Sequence, residues 1–158
     1  MAGKMDVMTA LPTSAPLPGA LELRGWTLDG YQGLRDLRAE LREAVVEVSS
    51  ADLGDLADRM AVVATELATN ALRHGLPPTV IRLLRVDDRF VLDCADHDVQ
   101  AAPRLDPDRP PGRGGLGLLL TRTFAVDVGW YKTDRTKHVW ASFPAVPPVR
   151  FTARAKKF

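Results

Sequence analysis

The feature that most limits the fold is one long amphipathic pattern in the middle of the chain. Its apolar residues recur at steps of three and four, and they are Leu56, Met60, Val63, Leu67 and Ala71. At 3.6 residues per turn these positions form one stripe, so the sequence predicts a helix over about 52–74 with a single buried face. Gly75, Pro77 and Pro78 follow directly and predict an abrupt end to this helix.

Two polar side chains lie on the flank of the apolar stripe, within the stretch ELATNALRHG at 66–75. Glu66 and Asn70 are four residues apart, so they share one side of the helix at the border of its core face. Polar groups in such a half-buried place cost free energy unless a partner satisfies them, and a metal ion with a polar ligand would do so. The alternative is that both residues belong to an ordinary solvated rim.

Shorter patterns flank the central helix on both sides. Period-two alternation and turn residues predict strands at 21–28, 79–86, 90–95, 126–131 and 137–143. Helical spacing predicts further helices over 34–48 and 116–123. The strands at 79–86 and 90–95 are separated by three residues, which predicts a hairpin.

Composition bounds the class of protein and its environment. A chain of 158 residues with 46% hydrophobic and 26% charged residues is typical of one soluble globular domain. A net charge of +1 does not favour nucleic acid as a partner, and no apolar run reaches the length of a membrane span. The single cysteine, Cys94, excludes an internal disulfide and fits a reducing cytosol. Residues 1–19 are expected to be a flexible lead-in, residues 20–144 the domain, and residues 145–158 a basic tail.

A buried carboxylate is expected at the end of the strand at 90–95. Because side chains alternate along a strand, Phe90, Leu92, Cys94 and Asp96 share one face. Three of these four are apolar, so the face should point at the core and place Asp96 at the end of a buried row. The alternative is a strand-ending aspartate that caps a turn.

A glycine-rich helix start follows a long proline-rich loop. The loop at 97–113 contains four prolines, and loops of this length inside a compact domain are usually functional or mobile. Glycines before a helix let backbone amides approach an anion, although a simple hinge has the same composition. The glycines are Gly112, Gly114, Gly115 and Gly117, with Arg113 between the first two. No Gly-Lys-Ser/Thr follows, so this is not a P-loop.

The chain resembles the GHKL (Bergerat-fold) ATPase superfamily in the order of its features. These are a Glu/Asn helix, a buried aspartate at a strand end, a proline-rich loop and a glycine-rich helix start. The chain length, the form ELATNALRHG and the late stretch TKHVWASF are most similar to the small bacterial anti-sigma-factor serine/threonine kinases. The resemblance covers roughly residues 20–144. It implies an α/β sandwich of the α+β class, with a mixed, mostly antiparallel sheet covered on one face by helices, and a nucleotide between helices and sheet.

The resemblance also implies roles for individual residues. Asn70 would hold the Mg²⁺ that bridges the phosphates of ATP, and Glu66 would be the general base for an attacking hydroxyl. Asp96 would accept a hydrogen bond from the adenine amino group. The glycines and Arg113 would meet the phosphates. Thr136 is the candidate late-strand threonine near Asp96, with His138 close to the same register. His74 would support packing.

The implied function is that of an ATP-dependent kinase in the bacterial cytoplasm. It would bind a sigma factor and phosphorylate an antagonist protein that competes for it, without contacting nucleic acid or membrane, and it could form a homodimer. One departure supports a different class: Asp96 is followed by HDVQ, without the glycines of the superfamily's first glycine box. The alternative is therefore a protein-binding regulatory module in which ATP is structural or absent. Zinc binding by Cys94, His97 and Asp98 would lack the usual ligand number and spacing.

Overall fold

The computed structural model describes residue 13 and residues 19–48, 54–103 and 117–145. Strand β1 is Leu21–Leu28, and a 3-10 turn at Tyr31–Gly33 leads into helix α1, Leu34–Glu47. Helix α2, Gly54–His74, is the long central helix, and strands β2 and β3 are Thr79–Val86 and Arg89–Asp96. Helix α3 is Gly117–Phe124, and strands β4 and β5 are Asp127–Lys132 and Lys137–Pro144.

These bounds confirm the helices and strands expected from periodicity, to within two residues at each end. The predicted lead-in at 1–19 and basic tail at 145–158 lie almost wholly outside the described residues. None of the described helices is long and apolar enough to cross a membrane.

The five strands form one sheet in the order β1-β2-β3-β5-β4, and each neighbouring pair is antiparallel. Thr13 adds an isolated parallel bridge to Trp130 on the edge strand β4. The expected α+β fold with a mostly antiparallel sheet is confirmed. Because β3 is the middle strand, its last residue, Asp96, lies in the middle of one end of the sheet.

The core lies between one face of this sheet and helices α1 and α2. The stripe predicted for α2 is buried, with Met60 and Val63 at 0% exposure. Helix α1 adds Leu37, Leu41 and Val45 to the same core. From the sheet come Ile81, Leu83, Phe90, Leu92 and Cys94, which confirms the buried row expected along β3.

The other face of the sheet carries a second, smaller apolar cluster. Leu84, Val86, Val91 and Trp140 are buried there, with Tyr131 packed against them. Residue 93, between the apolar residues of the core row, points to this second face because side chains alternate along β3.

Candidate functional site

The C-terminal end of α2 meets the end of β3, and their junction forms the candidate site. The backbone N–H of Gly75 donates to the carbonyl of Ala71 (2.8 Å) and completes the last turn of α2. The N–H of His97 donates to the carbonyl of Leu76 (3.0 Å), which ties the end of β3 to the segment that leaves the helix. Asp96 is thereby placed against the helix end.

Gly75 is required at this junction because Asp96 packs directly on its backbone. A Cβ at position 75 would overlap the Asp96 carboxyl carbon, and it would lie 2.6 Å from Asp96 Oδ2 and 2.7 Å from the Ala71 carbonyl oxygen. Separations below 3.0 Å force atoms to move. The absence of a side chain at Gly75 therefore leaves the room that the Asp96 carboxylate occupies.

Asp96 is buried and has a protein partner on each oxygen. Its Oδ1 accepts a hydrogen bond from the backbone N–H of Asp98 (2.7 Å), and its Oδ2 lies 3.7 Å from Lys137 Nζ. The side chains of Lys137 and Asp96 are only 4% and 5% exposed. Both expectations for Asp96, a buried carboxylate and a turn cap, are therefore met by the same side chain.

A cleft opens beside this pair and brings together residues far apart in the chain. It holds about 310 Å³ of empty space, including open solvent. Its polar and small lining residues are Asn70, His74, Gly75, Asp96 and Lys137. Its apolar lining comes from Leu67, Ala71, Cys94, Pro103 and Val139. Asn70 and Asp96 thus face one space, as expected if both contact the same ligand.

Cys94 lines the cleft, and its thiol is not expected to be reactive. Its thiol lies 3.6 Å from the carbonyl oxygen of Leu67, in hydrogen-bonding contact. Burial, with the added negative charges of Asp93 and Asp96, raises the pKa of the Cys94 thiol well above its ordinary value. The neutral thiol is therefore the form present at neutral pH, and a thiolate ligand for zinc is disfavoured.

Glu66 and Asn70 are both half-buried on α2, one helical turn apart. The cleft lining includes Asn70 but not Glu66. Across the described residues, no three His, Cys, Asp or Glu side chains are grouped to hold a metal ion. A divalent cation would therefore fit at Asn70 only together with water and the phosphates of a nucleotide, the arrangement usual for Mg²⁺.

Thr136 and Lys137 differ in their relation to Asp96. In the antiparallel pair of β3 and β5, the residue opposite Asp96 is Lys137. Thr136 comes one residue before β5, and its Oγ1 is bonded to Thr133 Oγ1 (2.7 Å) and His138 Nε2 (2.8 Å). The position beside Asp96 therefore belongs to Lys137, which the sequence did not single out, and the role of Thr136 in nucleotide binding stays a prediction.

The phosphate side of the predicted site is described only in part. Gly117 is the first residue of α3. Gly112, Arg113, Gly114 and Gly115 lie outside the described residues, so their predicted contacts with phosphate stay predictions.

A second polar cluster, which sequence reasoning missed, lies on the other face of the sheet behind the cleft. Asp93 is fully buried, and its Oδ2 accepts from Arg82 Nη2 (3.0 Å) and pairs with His138 Nδ1 (2.8 Å). Its Oδ1 accepts from the Tyr131 hydroxyl (3.3 Å), and the Tyr131 and His138 rings stack with centroids 4.5 Å apart. The available signal was a carboxylate in the middle of an otherwise apolar strand, which needs a cationic partner.

This Asp93 cluster shifts the pKa of two of its members. Burial alone would lower the pKa of the Arg82 guanidinium, but the hydrogen bond and charge of Asp93 outweigh that effect and raise it. Burial, and then the charge of Asp93, raise the pKa of Tyr131 to about 12. At neutral pH, Arg82 is therefore charged and Tyr131 is neutral beside the buried Asp93 carboxylate.

The protein is an α+β domain with a buried carboxylate in the lining of a cleft, between a helix end and an antiparallel sheet, and such clefts with a few polar groups are typical of small-ligand sites. The family model described as "Histidine kinase-like ATPase domain" matches residues 32–143, more than half of the chain. The chain therefore belongs to this family of GHKL type, whose domain is an ATP-binding module. No curated protein matches the chain.

Proposed function

We propose that this domain binds ATP in the cleft between the C-terminal end of α2 and the end of β3. The observation that carries the proposal is the convergence of Asn70 and Asp96 on one space, although they come from different elements of the core. The family match supports the same ligand.

The adenine base would be recognised by the buried Asp96 carboxylate. Its two oxygens offer about four acceptor sites; the Asp98 N–H occupies one of them, and the Lys137 ammonium lies 3.7 Å from Oδ2. An acceptor therefore remains for the 6-amino group of adenine. Guanine would present a carbonyl at that position, leaving two acceptors face to face and unpaired, so adenine is favoured.

The phosphates would extend toward Asn70 and the start of α3. Among the described residues that line the cleft, Asn70 offers a side-chain oxygen as a ligand for Mg²⁺, while Asp96 would contact the base. When bound, the cation neutralises charge on the phosphates and fixes their position. The protein's part is to hold Asn70 on a helix whose adjacent apolar face is buried in the core.

We infer a kinase as the activity of this site, acting on a partner protein in anti-sigma-factor regulation. The hydroxyl oxygen of a serine or threonine would form a bond to the γ-phosphorus, the bond to ADP would break, and the hydroxyl proton would pass to Glu66. Support comes from the stretch ELATNALRHG, in which Glu66 precedes Asn70 by one helical turn. The partners would be a sigma factor and its competing antagonist in the bacterial cytoplasm, and the protein could act as a homodimer.

One observation favours a second function, a protein-binding module with weak or no nucleotide binding. Both oxygens of Asp96 already contact other groups of the protein, Asp98 and Lys137. The 6-amino group of a purine would have to share the Asp96 carboxylate with them. In this alternative the function depends on a surface that binds a partner protein, and nucleotide binding in the cleft is weak or absent.

Thermal melts with and without Mg-ATP separate the two candidates. At a hundredfold excess over its dissociation constant, a ligand adds about 2.7 kcal/mol of apparent stability. The shift should be lost in Asp96→Asn and Asn70→Ala and retained in Asp127→Asn, since Asp127 is an exposed carboxylate on β4. No shift at millimolar Mg-ATP would remove the nucleotide proposal. For the kinase, Glu66→Gln should bind ATP but transfer no phosphate to a partner, and normal transfer by this variant would exclude Glu66 as the base.

A further inference from the structure

Lys137 is a buried lysine that lines the cleft. It is 3% exposed, and its ammonium lies 3.7 Å from Asp96 Oδ2. Burying a lysine is costly unless its charge is paired, and the same distance is too long for a good hydrogen bond. The ammonium therefore compensates the charge of Asp96 while keeping donor N–H groups for another acceptor.

The register of the sheet fixes where Lys137 is placed. Lys137 and Val139 are two residues apart on β5, so they share the face that contributes to the core. Both residues line the cleft, as Asp96 does from the neighbouring strand. A strong acceptor and a strong donor thus lie side by side in the lining of the cleft.

Adenine carries the complementary pair on one edge, because its 6-amino group is a donor and the adjacent N1 is an acceptor. We propose that Lys137 is a specificity-determining residue that donates a hydrogen bond to N1 of adenine while Asp96 accepts from the 6-amino group. This inference rests on the proposed ATP binding and names a second contact of the same base.

The pair discriminates more strongly than Asp96 alone. A 6-oxo purine in the same orientation presents a carbonyl to the carboxylate and an N1–H to the ammonium. Both contacts are then mismatched, and each leaves a buried charged group without its partner. Lys137 would thereby reinforce the choice of adenine over guanine and hypoxanthine.

The competing explanation is that Lys137 and Asp96 form an ion pair with a structural role only. Ligands that lack one hydrogen-bonding group of adenine distinguish this explanation from the proposed contact. Binding of ADP and 1-deaza-ADP, in which N1 is replaced by C–H, is measured by calorimetry on the wild type and on Lys137→Met. The wild type should bind 1-deaza-ADP at least about tenfold more weakly, as expected for loss of a hydrogen bond to a charged group. Lys137→Met should bind the two ligands equally, whatever its overall affinity.

Two further variants keep the test decisive. Lys132→Met removes an exposed lysine from β4 that contacts the Val99 carbonyl, and it should keep the wild-type preference for ADP. Lys137→Gln retains an N–H donor, so it should keep part of the preference for ADP. This variant replaces Lys137→Met in the test if Lys137→Met fails to fold. Equal binding of ADP and 1-deaza-ADP by the wild type would overturn the inference.

A third ligand separates failure of this inference from failure of the proposed function. Purine riboside diphosphate lacks the 6-amino group and reports on Asp96 alone. If the wild type prefers ADP over this ligand but not over 1-deaza-ADP, the adenine site stands and the role of Lys137 is refuted. If the wild type binds none of the three, both the inference and the ATP proposal are refuted.

Discussion

Asp93 is the most deeply buried carboxylate among the described residues, and Asp93→Asn tests what it does for stability. The substitution keeps the size of the side chain and removes its charge. It also replaces one acceptor oxygen by an N–H₂ group, so a single oxygen remains where two now contact Arg82, His138 and Tyr131. Arg82 would then lose its buried counter-charge and keep only the exposed carboxylate of Glu22, 3.5 Å away.

The magnitude follows from the three contacts that Asp93 makes. Hydrogen bonds to charged groups contribute about 1.5–3 kcal/mol each, against about 1 kcal/mol for neutral ones. The contact with His138 is short and buried, that with Tyr131 is long at 3.3 Å, and the Arg82 side chain is 33% exposed and can regain water. We therefore expect a loss of about 3 kcal/mol, at the lower end of the range for breaking a buried pair. For a domain of this size that corresponds to a fall in Tm of about 6–12 °C.

Urea and thermal unfolding followed by circular dichroism measure the loss directly. The matched control is Asp127→Asn, since the Asp127 side chain is 66% exposed and lies 3.7 Å from Arg89. Exposed pairs of this kind contribute little, so the control should unfold within about 0.5 kcal/mol of the wild type. If Asp93→Asn also unfolds within that margin, with an unchanged urea m-value, the argument that the Asp93 cluster stabilises the sheet is refuted.

Three further predictions follow from the burial of the cleft and of the Asp93 cluster. Gly75→Ala should abolish any ATP-induced rise in Tm, because its Cβ would displace Asp96, whereas Gly25→Ala on β1 meets only the end of a flexible side chain at 3.2 Å and should keep that rise. Cys94 should resist iodoacetamide at pH 8 in the native protein and react in urea, and rapid native labelling would show that the thiol is accessible. Because the pKa of Tyr131 is raised on folding from about 10 to about 12, the unfolded chain loses this proton first, and stability should fall between about pH 10 and 12. Tyr131→Phe should weaken that fall, and an identical pH dependence in this variant would contradict the assignment.

Local periodicity was sufficient to predict nearly every helix and strand of the described fold. The stripe of α2 and the alternation along β3 depend only on 3.6 and 2 residues per repeat, which backbone geometry sets within each element. The same alternation placed Asp96 in a buried row before any partner was known. Glu66, Asn70 and Gly75 could likewise be picked out because their significance lies in spacing along one helix.

Contacts between distant strands could not be derived in this way. Lys137 is important because β5 pairs with β3 in a register that places Lys137 opposite Asp96. The same pairing brings His138 into contact with Asp93. A shift of one residue would turn every side chain of β5 to the other face, so no local pattern can distinguish Lys137 from Thr136 as the neighbour of Asp96. Local patterns in the chain are thus enough to predict which elements form and which faces are apolar. Which charges meet depends on strand register, and register is set by packing of the whole sheet against its helices.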